Sequence, residues 1–232
     1  MGFATVPGVK DSLSFLAPLN QLPGVHAGWL GRIAGVEFDC ERDEAMRRLR
    51  PHHTAWLAEQ GGAGHSFWRA EQIHGNQVAV VPGAETLIAM DGLPCVPGVD
   101  GLLTASPGAT LGIYVADCGP IWLADPVRRV VGLLHSGKKG TEQDILGVAM
   151  DRMRRDFGCD PGDVIAVLGP CIRPPDYEVD FAAAISAQAA RHGIGRFSDC
   201  GINTAADLDI HYSYRREFGK TGRMLTTIRL EP

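Results

Sequence analysis

The 232 residues are enough to bury a full hydrophobic core, and 45% hydrophobic with 21% charged residues is ordinary for a folded soluble chain. A net charge of −5 without an arginine- or lysine-rich stripe argues against nucleic acid as the principal partner, because binding a phosphate backbone needs clustered cations. No segment approaches the roughly 18 apolar residues of a membrane span, MGFATVPGVKDSLSF lacks the apolar run of a secretory signal, and six scattered cysteines read as reduced thiols, so a cytoplasmic protein is expected.

In chain order, residues 25–30 read as a short strand. Residues 38–60 have helical composition, with Pro51 expected to end or kink the helix. Gly61, Gly62 and Gly64 mark a loop before Phe67 and Trp68. Residues 77–81 form a strand directly after His74, and the turn-rich stretch 83–99 reads as a surface loop. Four strands follow at 101–104, 110–116, 121–124 and 129–134, several of them continuous apolar runs that suggest burial on both faces. Thr141 is placed to cap a helix over 142–157, with Asp144 three residues on, close to a capping box. Gly158 stops that helix and Asp160-Pro161-Gly162 turns the chain. Residues 164–168 form a buried strand, 181–191 an alanine-rich helix and 224–230 a closing strand. With no internal repeat and no linker, residues 1–232 read as one α/β domain.

Three residues sit in segments built to present a ligand: His74 in EQIHGNQV, Cys118 in YVADCGPIWLAD, and His135 at the end of RRVVGLLH. A lone histidine at a strand end is usually a hydrogen-bonded or solvated residue, and a lone cysteine with apolar neighbours an inert core thiol. Cys118 departs from that pattern, because Asp117 precedes it and Gly119-Pro120 follow, the composition of a strand end turning sharply. Ser136-Gly137 after His135 lets the backbone pass close to a ligand. A hairpin turning at Asp125-Pro126 would bring Cys118 and His135 together. Two imidazoles and one thiolate suit Zn²⁺ and leave a fourth position open. Asp117 reads equally as an acceptor orienting a ligating imidazole or as the cap of a turn.

The chain resembles the laccase-domain family, labelled multicopper polyphenol oxidases and associated with purine nucleoside phosphorylase activity. The matching segments are QIHGNQV (72–78), VDGLLT (99–104), PGATLGIYVADCGPIWLAD (107–125), LLHSGKKG (133–140), GPCIRPPDYEV (169–179) and YSYRREFGKTGRM (212–224), in the family's order. The resemblance implies an α/β (α+β mixed) fold of packed mixed β-sheets covered by helices, with His74, Cys118 and His135 as zinc ligands. It also implies phosphorolysis of purine nucleosides by inorganic phosphate, together with adenosine deamination and methylthioadenosine cleavage. Oligomeric state and nucleoside preference are not legible.

Two departures from the family pattern bear on the anion site. Lys138 and Lys139 stand where the family has tryptophan and arginine, and lysine binds phosphate as a point charge without arginine's bidentate fork. Arg173 stands where the family has glycine and is positioned by sequence to supply the missing guanidinium. The expected catalytic group is therefore Cys118, His135, Lys139 and Arg173, with Lys138, Cys171 and Arg215 as further substrate contacts, although Cys171 also reads as a buried structural thiol.

Three rival readings remain. A multicopper oxidase needs several H-x-H pairs, and none occurs among the eight histidines. A cysteine hydrolase or amidase acting on cell-wall peptide precursors would use Cys118 as nucleophile and a histidine as base. A binding protein with decayed activity would account for the two lysines.

Overall fold

The apolar runs of the central strands resolve into two sheets whose facing sides alternate at period two. The computed structural model describes residues 11–60, 66–89 and 92–231; the loop expected at Gly61, Gly62 and Gly64 lies outside them. The elements are α1 (Ala17–Asn20), β1 (Val25–Leu30), α2 (Arg42–Glu59), β2 (Ser66–Arg69), β3 (Val78–Val80), β4 (Leu87–Ile88), β5 (Pro94–Cys95), β6 (Gly101–Thr104), β7 (Ala109–Val115), β8 (Gly119–Asp125) and β9 (Val130–Ser136). They continue with α3 (Lys138–Glu142), α4 (Ile145–Phe157), β10 (Ile165–Leu168), α5 (Phe181–Arg191), β11 (Arg196–Asp199) and β12 (Met224–Leu230).

One sheet has the order β1-β12-β7-β2 and the other β11-β10-β8-β9-β6-β3, while β4 and β5 pair as a small hairpin. Both large sheets are mixed: β2 runs parallel to β7, and β3 and β11 run parallel to β6 and β10. The fold is thus the expected mixed α/β arrangement.

Leu111, Ile113 and Val115 of β7 face Trp122 and Ala124 of β8 and Val131 and Leu133 of β9 across the space between the sheets. The indole N–H of Trp122 donates to the Thr227 carbonyl at 2.8 Å, tying one sheet to the other. The alternate positions point outward. Ile121, Leu123 and Leu134 pack under α4 and α5 against Leu146, Met150, Met153 and Ile185. Tyr114 and Leu225 pack under α2 against Met46 and Trp56. Four layers result, helix, sheet, sheet, helix, and burial on both faces explains why β7, β8 and β9 are apolar throughout.

Three expectations need correction. Pro51 lies inside α2 and does not end it. It sits on the exposed side, opposite buried Leu49 and His53, where the carbonyl left without an amide partner can be met by water. The helix expected over 142–157 is split in two. Asp144 takes a left-handed backbone and caps α4 by accepting from the Gly147 N–H at 3.2 Å, while Thr141 is buried inside α3, its hydroxyl against Ser136 at 2.9 Å. The stretch 83–99 holds β4 and β5. Gly158 ends α4 in the left-handed conformation, as expected.

Leu133→Ala should destabilise the protein by about 2–5 kcal/mol, read as a lower urea midpoint, because the side chain is fully buried between the sheets. A pH effect should come from His53, buried in α2 against the Tyr114 ring. Burial pushes its imidazole down to about 4, against a hydrogen bond with the Arg223 backbone and with His52 adding like charge. The unfolded chain takes up that proton near pH 6.5. Between those values the unfolded state binds more protons, so stability falls as the pH drops through this window. Urea midpoints across it should decline in the wild type and decline less in His53→Leu.

Candidate active site

The hairpin of β8 and β9 sets Pro120 opposite His135 and Gly119 opposite Ser136, which leaves Cys118 just before β8 beside Gly137. A Cβ on Gly137 would come within 2.5 Å of the Cys118 Sγ, so only glycine fits against this thiol. His74 arrives on the loop before β3, and β3 and β9 flank β6. The ligand atoms of His74, Cys118 and His135 lie within 4.8 Å of one another. The rings of His74 and His135 stand edge to face, 4.9 Å between centroids.

Asp100, fully buried just ahead of β6, organises this set. Its carboxylate receives the His135 Nδ1 at 2.8 Å, the His74 backbone N–H at 2.9 Å and the Gly75 N–H at 2.7 Å. Its carbonyl accepts the His135 N–H at 2.7 Å. His135 therefore turns Nε2 toward Cys118, and His74 is held at φ 63°, a left-handed conformation uncommon for a non-glycine residue. Burial works to raise the Asp100 pKa, but the hydrogen bonds from His135, Gly75 and His74 hold the carboxyl below its ordinary range. Burial likewise opposes ionisation of Cys118. The charge of His135 and hydrogen bonds from His135 and His74 overcome it, so the thiol is pulled down and His135 is raised.

This donor set fits a tetrahedral metal. Zinc bonds of about 2.0–2.3 Å put neighbouring ligand atoms roughly 3.3–3.8 Å apart, and the three atoms here already lie within 4.8 Å of one another. A carboxylate on the far nitrogen of a ligating histidine is the usual way to fix its tautomer and orientation.

Asp117 does not take that role. It accepts from the Thr204 hydroxyl at 2.7 Å, the Ser213 hydroxyl at 3.1 Å and the Arg215 N–H at 2.7 Å, anchoring the segment that runs past the site. Sequence reasoning missed Asp100. Its signal was present, an acidic residue placed directly before the apolar run GLLT.

A cavity of about 990 Å³ opens over the three ligands, and Lys138, Lys139 and Arg215 line it. The two lysines are exposed in the first turn of α3. Arg215 lies 5.6 Å over the Tyr177 ring and pairs with Glu178 at 3.2 Å. Arg42 and Arg223 also line the cavity, and neither was singled out from the sequence.

The structure does not bring Arg173 or Cys171 to this lining. The guanidinium of Arg173 is held by both oxygens of Asp199, and its Nε donates to the Ile202 carbonyl at 3.2 Å. Cys171 is fully buried, and burial pushes its thiol well up. The His74 loop is stitched to α3: the Asn76 side chain donates to the Gln143 carbonyl at 2.9 Å, and a Cβ on Gly140 would sit 3.0 Å from the Gly75 carbonyl.

The family model described as multi-copper polyphenol oxidoreductase laccase matches residues 41–183 and 177–231. The chain belongs to this family. A Deinococcus radiodurans protein named purine nucleoside phosphorylase is 34% identical over 226 residues, covering 86% of this chain and 84% of the relative. A Streptomyces griseus protein also named a purine nucleoside phosphorylase is 30% identical over 217 residues, covering 82% and 80%. Among solved structures, the laccase-family fold is shared with YlmD from Geobacillus stearothermophilus at a TM-score of 0.76 and 25% identity, covering 91% of this chain and 93% of that one.

Asp100→Asn should weaken binding of one divalent metal by about 10- to 100-fold in a chelator-competition titration, with the fold retained, because the amide no longer holds His135 as a charged acceptor.

Proposed function

We propose that the chain is a zinc-dependent purine nucleoside phosphorylase of the cytoplasm, a single domain over residues 1–232, converting adenosine, inosine or guanosine with phosphate to the free base and ribose 1-phosphate. The observation that carries this reading is the His74, Cys118 and His135 set in a cavity lined by lysine and arginine side chains. Relatives of that name at 34% and 30% identity support it.

In the reaction a phosphate oxygen forms the bond to C1′ as the C1′–N9 bond breaks. The base leaves with that electron pair and takes up the proton that the hydrogen phosphate gives up as it becomes the ribose 1-phosphate ester. Lys138, Lys139 and Arg215 are the residues to hold the anion, positioning the attacking oxygen and offsetting its charge. Tyr177 and Tyr214, both in the lining, offer aromatic rings against which a flat purine could stack. His74, Cys118 and His135 would hold the zinc, which when bound supplies a Lewis acid with one open position. The family's oxidase label has less support, because the histidines include no H-x-H pair. Deamination of adenosine and cleavage of methylthioadenosine belong to the same proposal as secondary activities.

A second reading rests on one specific contact. Cys118 is pulled down by His135 and His74, the relation a cysteine hydrolase needs between nucleophile and base.

Metal analysis paired with turnover separates the two. About one zinc per chain is expected, lost in Cys118→Ala, with base release from inosine or adenosine that requires phosphate and stops on chelation. Amide hydrolysis that survives complete removal of metal would overturn the phosphorylase reading in favour of the hydrolase.

A further inference from the structure

Two of the cationic side chains that line this cavity have a carboxylate of their own: Arg215 pairs with Glu178 and Lys220 with Asp39. Lys138 and Lys139 have none among the described residues but are exposed, so water can meet their charge. Arg223 is different. It is half-buried, and among the described residues no carboxylate pairs with it. Its Nη1 donates to the carbonyls of Thr221 and Gly222, each at 2.8 Å, and its guanidinium stands 5.9 Å from the Tyr214 ring centroid. One nitrogen is thereby anchored, while Nε and Nη2 donate no hydrogen bond among the described residues. Arg42, the first residue of α2, lines the same cavity and also has no carboxylate partner among them.

Partly withdrawing the Arg223 guanidinium from water is costly, and the like charge of exposed Arg42 adds to that cost, which the nearby charges of Asp117 and Cys118 offset only in part. Burial, reinforced by the like charge of Arg42, pulls Arg223 down to about 10, so it stays charged at neutral pH. A small dianion offering several oxygens removes both penalties, and the two free donors of a fixed guanidinium suit bidentate recognition of such an anion.

We infer that Arg223, assisted by Arg42, is the bidentate phosphate-holding residue of the cavity and fills the place for which Arg173, locked to Asp199, is not available. The identification of the anion as inorganic phosphate rests on the phosphorylase reading; the anion site itself does not. Lys138 and Lys139 then add point charge at the rim, and Arg223 supplies orientation.

The test uses the metal-loaded full chain, titrated calorimetrically with inorganic phosphate and assayed for the Michaelis constants of phosphate and inosine. Arg223→Gln should raise the phosphate dissociation constant about 10- to 100-fold, the loss of a charged hydrogen-bonded contact. Arg223→Lys should recover part of it, and exposed Arg42→Gln should cost only about two- to fivefold. The Michaelis constant for inosine should stay close to wild type in all three. Should Arg223→Gln fail to fold, Arg223→Lys and Arg42→Gln decide the matter.

Unchanged phosphate affinity in the folded variants, or equal losses for phosphate and inosine, would overturn the assignment. AMP binding that depends on Arg223 while inorganic phosphate does not bind would overturn it too. Arg223-dependent phosphate binding without turnover of any nucleoside would leave the anion site standing and defeat the phosphorylase reading. Phosphate-dependent turnover indifferent to both arginines would do the reverse.

Discussion

The carboxylate of Asp100 is the interaction on which the candidate site depends. It is buried beyond the reach of water and carries a charge, a combination tolerated only because three donors converge on it: the His135 ring and the backbone N–H groups of His74 and Gly75. Two segments distant in sequence are thereby tied to one oxygen pair. Without it, His74 would have no reason to keep a left-handed backbone, and the His135 ring would lose the acceptor that selects its tautomer.

The sheets make that convergence possible. Asp100 and His135 sit at paired ends of β6 and β9, and Cys118 leads into β8 on the other side of β9, so the site inherits the register of a fully buried three-strand unit. Loops elsewhere vary in how they are held, but these three strands are packed on both faces between α4, α5 and the opposing sheet. Reactive side chains at the rigid ends of such strands lose little entropy when a ligand binds. The second wall of the cavity is a segment tied down by Asp117 through Thr204, Ser213 and Arg215.

Much of this was legible in the residues. The bounds of β1, α5 and β12 follow from apolar periodicity and flanking turn residues, and the three ligand-bearing segments stand out because Gly, Pro and Asp interrupt apolar strands where a side chain is presented. What escaped did so for physical reasons. The split between α3 and α4 depends on Asp144 adopting a left-handed backbone, which local propensity does not favour. Pro51 survives inside α2 because its neighbours there face solvent. Asp117 and Asp100 look alike in sequence, each an acid beside a strand, and only the pairing of β6 with β9 decides which one meets an imidazole. Arg173 has the right chemistry in the right segment, but Asp199 at the end of β11, an element not visible from periodicity, takes its guanidinium.

The stitching of the His74 loop to α3 has a consequence for how the two are positioned. Through Asn76 and the close backbone approach of Gly140 to Gly75, the loop that carries one metal donor and the helix that carries Lys138 and Lys139 form a single mechanical unit. The position of the histidine and the position of the lysines are therefore set together, by a hydrogen bond and a backbone contact between neighbouring segments, rather than by two independent loops.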